Sequence, residues 1–152
     1  MKFEELLTRD GFLVYKTRGV SMEPMLHQNR DLVIIRNPSS RLQKYDVALY
    51  RRGKGYVLHR VIGVEKDHYL IRGDNTYAIE KVPAQVVIGV RPSFKRMGKE
   101  ISTDNRLYRF YVRFWNVIYP IRALYAYLRL AAIRAARRAG LVPLIKKVLG
   151  RE

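Results

Sequence analysis

The chain has 152 residues, 48% of them hydrophobic, which suits one domain with an appendage and excludes wholesale disorder. It contains no cysteine, so disulfides and thiolate metal sites are excluded, and its three histidines lack ligand-like spacing. We therefore predict neither a metal nor a cofactor, whereas the net charge of +17 predicts attraction to a polyanion, either nucleic acid or an anionic membrane surface.

The first two thirds of the chain are predicted to form short strands separated by turns. Short apolar, β-branched runs with regular punctuation are typical of a compact antiparallel β-domain. A short helix over residues 2–8, ended by Gly11, is expected to come first. The predicted strands are Phe12–Tyr15, Asp31–Arg36, Asp46–Tyr50, Tyr56–Val64, His68–Arg72 and Val86–Val90.

A turn containing Ser21 follows the first predicted strand. Gly19 permits a positive φ or a close backbone approach, and Pro24 fixes its own φ and removes a backbone donor. Such a turn can hold Ser21 forward, with its N–H free to face a developing oxyanion. An ordinary turn with a capping serine is the alternative, since an unassisted hydroxyl is a poor nucleophile.

His59 lies in the strand predicted over Tyr56–Val64. The period of two places Val57, His59 and Val61 on one face of that strand. An imidazole between valines is partly desolvated, which favours the neutral form that a general base requires. The alternative is a histidine with a purely structural hydrogen bond.

The third group of polar residues is the turn Gly73-Asp74-Asn75, with Glu80 following it. A carboxylate beside His59 would hold its Nδ1–H tautomer and stabilise the imidazolium formed during catalysis. The same three residues are also good turn formers in any protein.

The character of the sequence changes after a predicted boundary at Pro92–Asp104, which separates a β-domain (residues 1–99) from a basic helical extension (residues 104–152). The extension carries 11 lysines and arginines against two acids. Pro120 should kink or divide its long helix, Gly140 should end it, and Pro143 should open a last short helix. Its apolar residues recur every three or four positions: Leu107, Phe110, Tyr111, Phe114, Ile118, Ile121, Tyr125 and Leu128.

Taken together, Ser21-Met22-Glu23-Pro24, His59-Arg60-Val61 and Gly73-Asp74-Asn75 resemble the motifs of type I signal peptidases and the related LexA-like serine peptidases. The resemblance covers roughly residues 17–90. In the bacterial and LexA-like enzymes a lysine is the general base, whereas this chain has His59 at the matching place. That pattern is similar to the archaeal and endoplasmic-reticulum branch of the family.

The resemblance implies a role for each matched position. Ser21 would be the nucleophile and His59 the general base, while Asp74, ranked before Glu80, would orient the imidazole. Gly19, Met22 and Pro24 would form the substrate-binding and oxyanion side of the site. Signal peptidases normally carry an N-terminal membrane anchor, and neither a signal peptide nor a transmembrane run is found in this sequence.

The sequence thus predicts a serine endopeptidase that cleaves an extended, signal- or leader-like peptide with a Ser/His dyad. Residues 104–139 are expected to contact an anionic membrane from the cytoplasmic face, or to pack on the β-domain of a cytoplasmic protein. The alternative function is a non-catalytic module that binds anionic membrane or nucleic acid through its basic helices. Nucleic acid is the weaker partner, because no recognisable nucleic-acid module accompanies the charge.

Overall fold

Eight antiparallel strands dominate the computed structural model, which describes residues 2–139. The predicted fold class, mainly antiparallel β with a C-terminal helical segment, is confirmed. A short 3-10 turn over Ala84–Val86 precedes β7. The elements are α1 (Phe3–Asp10), β1 (Phe12–Lys16), β2 (Leu32–Arg36), β3 (Val47–Arg52), β4 (Gly55–Val64), β5 (His68–Arg72), β6 (Glu80–Pro83), β7 (Val87–Arg96), β8 (Lys99–Ser102), α2 (Arg106–Val117) and α3 (Tyr119–Arg138).

The strands form one sheet in the order β1-β2-β7-β3-β4-β5-β6, with β8 paired to β7. Both faces of β3 are buried, because its side chains alternate between two apolar clusters. Val47 and Leu49 belong to the cluster that includes Leu7 of α1, whereas Ala48 and Tyr50 belong to the other. The neighbouring strand β4 pairs with β3 and is itself buried from Leu58 to Val61.

The sheet contains more strand residues than the sequence predicts. β6, β8 and the second half of β7 were not predicted, since the last predicted strand ended at Val90, and Pro92 lies inside β7 rather than at a domain boundary. Proline is tolerated there because the β2–β7 register is irregular between Ile34 and Arg36, opposite this part of β7. The hairpin turn places Met97 and Gly98 at φ values of 48° and 79°.

The chain divides into two compact units, one ending at Arg113 and the other starting at Phe114. This division falls later than the predicted boundary between residues 99 and 104. The reason is that Tyr108 and Val112 of α2 are buried in the larger apolar cluster of the first unit. The predicted apolar stripe is different from this buried face, since its members Leu107 and Phe110 are exposed.

The second unit contains the end of α2 and all of α3. Pro120 divides the two helices as predicted, because it occupies the first turn of α3, where a missing N–H is tolerated. No residue of α3 is buried. Among residues 2–139, none of the helices combines the length and the apolar character needed to span a bilayer. The stop predicted at Gly140 and the helix predicted from Pro143 lie outside the described residues.

Candidate active site

Ser21 lies in the loop that connects β1 to β2. Met22, Met25 and Leu26 anchor this loop, because their side chains are buried in the larger apolar cluster. Gly19 adopts a φ of 83°, which a residue with a side chain rarely adopts, and its N–H donates to Gln28 Oε1 at 2.6 Å. The half-buried Ser21 is thus held between a glycine turn and three buried side chains.

His59 of β4 faces Ser21. It pairs with Ala48 across the β3–β4 ladder, and the imidazole is buried on the same face as Val57 and Val61. The predicted alternation along this strand is therefore confirmed. Nε2 of His59 lies 3.1 Å from Oγ of Ser21, within hydrogen-bonding distance. Two residues 38 positions apart in sequence are thus brought into the contact that a nucleophile and its base require.

Burial lowers the pKa of His59 below its ordinary value of 6.5, because desolvation penalises the imidazolium. Glu80 opposes this shift through its negative charge and a hydrogen bond, whereas the charge of Arg52 reinforces it. The balance keeps the imidazole neutral near pH 7. A neutral imidazole can accept the hydroxyl proton of Ser21.

The opposite nitrogen of the ring, Nδ1, faces Glu80 and Tyr50. Oε1 of Glu80 lies 3.4 Å away and the hydroxyl of Tyr50 lies 3.3 Å away. Arg52 Nη1 donates to the same Oε1 at 3.0 Å. Burial and the Glu80 carboxylate raise the pKa of Tyr50, so its phenol stays protonated. The carboxylate favours the tautomer with a proton on Nδ1, which leaves Nε2 as an acceptor for Ser21.

Asp74 does not take the place beside Nδ1 that the sequence analysis gave it first. Its two carboxylate oxygens each accept a hydrogen bond of 2.6 Å from the Arg60 guanidinium, and both side chains are buried. Burial alone would lower the pKa of Arg60, but Asp74 and Tyr108 raise it instead. The ranking is therefore corrected: Glu80 contacts the imidazole, and Asp74 pairs with the arginine that follows it in β4.

The Gly73-Asp74-Asn75 turn packs directly against the Ser21 loop. The Asn75 N–H donates to the Ser21 carbonyl at 2.8 Å, and Asn75 Nδ2 donates to the Val20 carbonyl at 3.2 Å. A Cβ on Gly73 would lie 2.6 Å from that Ser21 oxygen and 3.1 Å from His59 Nε2. Glycine is needed at this position because two backbone segments and the imidazole meet there.

A cavity of about 470 Å³ opens over these residues. Ser21, His59 and Glu80 line it together with Gly19 and Met22, two of the three residues predicted on the substrate side. The third, Pro24, is exposed and does not belong to this lining. Within residues 2–139, the Ser21 N–H has no hydrogen-bond partner.

Tyr50 and Arg52 are site residues that the sequence analysis missed. The register of the β3–β4 hairpin could have identified them. In this register Arg52 pairs with Gly55 and Ala48 pairs with His59. Side chains two apart lie on one face of a strand, so Ala48, Tyr50 and Arg52 share the face of His59. A register derived from the turn would have placed them beside the imidazole.

No protein-family model matches this chain, and no curated protein sequence matches it. A hydroxyl in contact with a neutral imidazole, whose other nitrogen faces a carboxylate, is an arrangement that generates a nucleophile. It lies at the edge of a cleft with room for a peptide segment.

Proposed function

We propose that this protein is a serine endopeptidase, similar to the histidine-containing branch of type I signal peptidases, that cleaves an extended peptide. The observation that carries the proposal is the 3.1 Å contact between Ser21 Oγ and His59 Nε2 at the edge of the cleft. The motif resemblance supports the same reaction class. The substrate would be a signal- or leader-like segment of another protein.

The proposed reaction would proceed by proton transfer between Ser21, His59 and the leaving amine. His59 Nε2 takes the Ser21 proton as Oγ attacks the scissile carbonyl, and the Ser21 N–H stabilises the resulting oxyanion. The imidazolium, paired with Glu80 at Nδ1, then donates its proton to the leaving amine. Water deacylates Ser21 by the same route, with His59 again as base.

The first experiment compares protein N-termini by mass spectrometry in cells that express the wild type, Ser21→Ala or His59→Ala. We expect new N-termini in the wild type and in neither of these two variants, since each variant removes one half of the dyad. Ser39→Ala and His68→Ala are matched controls, because neither residue lines the cleft. Both controls should retain the wild-type profile. If all five profiles are the same, the endopeptidase proposal is wrong.

A second role, contact with an anionic membrane surface, is favoured by α3. Its exposed apolar side chains include Ile121, Leu124 and Leu128, and residues 105–139 contain arginines but no acid. A helix with this composition suits the interface of an anionic bilayer, where apolar side chains insert and arginines reach the headgroups. We propose that the protein is a peripheral membrane enzyme at the cytoplasmic face. Nucleic acid is the less favoured partner, since exposed leucines add nothing to phosphate binding.

A further inference from the structure

The catalytic cleft continues into a second cavity of about 510 Å³. Tyr15, Arg18 and Tyr56 line both cavities, so the two adjoin along these residues. Phe3 and Lys16 complete the second cavity. A peptide that reaches Ser21 therefore has room to extend past Arg18.

The wall of the second cavity is aromatic. The Phe3 ring stacks on Tyr56 with centroids 4.6 Å apart, and it lies 5.4 Å from the Tyr15 ring. Rings that pack on one another offer a rigid apolar surface at a small cost in conformational entropy. This surface would accept an apolar side chain of a bound peptide.

The charges at the junction are positive and unpaired. Within residues 2–139, the side chains of Lys16 and Arg18 have no ion-pair or hydrogen-bond partner. Other cations nearby are engaged, since Arg52 pairs with Glu80 and Arg51 lies 3.9 Å from Glu4. Glu4 also accepts a hydrogen bond from the Tyr56 hydroxyl. The free charge available to a peptide at this junction is therefore cationic.

We propose that the substrate carries an acidic side chain close to the scissile bond, held by Arg18, beside an apolar residue that packs on Phe3, Tyr15 and Tyr56. This inference rests on the proposed endopeptidase function. Arg18 precedes Ser21 by three residues, so their Cα atoms are at most about 11 Å apart. An extended peptide rises about 3.3 Å per residue, so this separation spans about three residues, and the reach of the arginine side chain adds a few more.

Peptide binding to the Ser21→Ala protein tests this specificity without requiring turnover. The probes are short fluorescent peptides made of alanine, serine, leucine and one phenylalanine. Each peptide also carries one Asp, Asn or Lys, and the position of this residue differs from peptide to peptide. At the best position we expect the Asp peptide to bind about fivefold more tightly than the Asn peptide, and the Lys peptide to bind most weakly. Roughly 0.5 M NaCl should remove most of this difference.

A charge reversal tests whether Arg18 is responsible for the preference for the Asp peptide. In the Ser21→Ala background, Arg18→Glu should invert the order, so that the Lys peptide binds more tightly than the Asp peptide. Arg36→Glu changes the net charge equally but lies outside both cavities, so it should keep the order. Equal binding of the three peptides, or the same inversion with Arg36→Glu, would overturn the proposal.

The same peptides separate this inference from the proposed function. Wild-type protein is incubated with each peptide, and the products are identified by mass spectrometry. Cleavage without any Asp preference would overturn the specificity and support the endopeptidase. An Asp preference in binding, with no peptide cleaved by the wild type, would support the acidic ligand and contradict the endopeptidase.

Discussion

Two carboxylates near His59 differ in what they contact, and this determines what each can do. Glu80 lies at the imidazole Nδ1 and is shared with Arg52. Asp74 is fully engaged with the buried Arg60. Substituting Glu80 should therefore alter catalysis, whereas substituting Asp74 should alter the stability of the fold.

Glu80→Gln is expected to lower the pKa of His59 further. The Glu80 carboxylate raises that pKa, so its removal leaves the lowering effects of burial and Arg52 opposed only by the smaller effect of the Asp74 charge. In the wild type we expect the acid limb of kcat/KM to lie below pH 6.5, because the folded pKa is already lowered, and in the variant this limb should move to still lower pH. The rate at the plateau should fall by roughly 10²-fold, since the Nδ1 tautomer is no longer held. The pH profile of peptide cleavage measures both effects.

Arg52→Gln provides the opposite shift as a control, because the charge of Arg52 lowers the pKa of His59. Its acid limb should move to higher pH. If the acid limbs of Glu80→Gln and Arg52→Gln moved in the same direction, the electrostatic explanation would be wrong.

Asp74→Asn is expected to destabilise the fold. It leaves the buried Arg60 without its carboxylate partner, a change that typically costs about 3–5 kcal/mol of unfolding free energy. Urea denaturation followed by circular dichroism measures the loss. Glu80→Gln serves as the reference, because the Glu80 side chain is partly exposed and should cost much less. Equal stabilities for the two variants would mean that the Arg60–Asp74 pair is not structural.

At the scale of the elements, the site depends on the close approach of the Gly73 turn to the Ser21 loop. Gly73→Ala places a methyl group against the Ser21 carbonyl oxygen and the imidazole, so one of the two backbone segments must move. We expect kcat/KM to fall by at least about 10²-fold, because displacements of the order of 1 Å are costly in active sites. Gly55→Ala, whose Cβ would meet no atom within 4 Å, is the matched control. Unchanged kinetics in Gly73→Ala would show that the loop contact does not position Ser21.

Most strands could be predicted from sequence because apolar alternation and turn residues mark them. β5 was predicted with its observed bounds, and the face of His59 followed from the period of two in β4. β6 was missed because its four residues include two charges and a proline. The contact of Glu80 with His59 depends on where this edge strand pairs, and that pairing is tertiary information.

The contact of Asp74 could not be predicted from local sequence either. Its position in a Gly-Asp-Asn turn gives no indication that Arg60, rather than His59, points toward it. The two residues are adjacent in β4 and therefore face opposite sides of the sheet. Only the folded path of the turn determines which one meets the carboxylate.

The whole molecule combines a net charge of +17 with an exposed helix, α3, that carries both apolar side chains and arginines. Each lysine or arginine close to an anionic bilayer contributes about 1 kcal/mol, and this contribution is screened within a Debye length. Insertion of leucines adds a contribution that salt does not weaken. Binding to vesicles should therefore contain a salt-sensitive part and a salt-resistant part, which separate variants can distinguish.

We expect the protein to co-sediment with vesicles that contain phosphatidylserine and not with neutral phosphatidylcholine vesicles. Leu124→Gln with Leu128→Gln should weaken binding at every salt concentration, because both side chains are exposed on α3. Arg129→Gln with Arg134→Gln should weaken it mainly at low salt. Arg36→Gln with Lys54→Gln lowers the net charge equally in the first unit, so it reveals how much of the effect is nonspecific. If this control weakens binding as much as the α3 arginine pair does, the salt-sensitive part of binding does not depend on the α3 arginines, and general electrostatic attraction accounts for it.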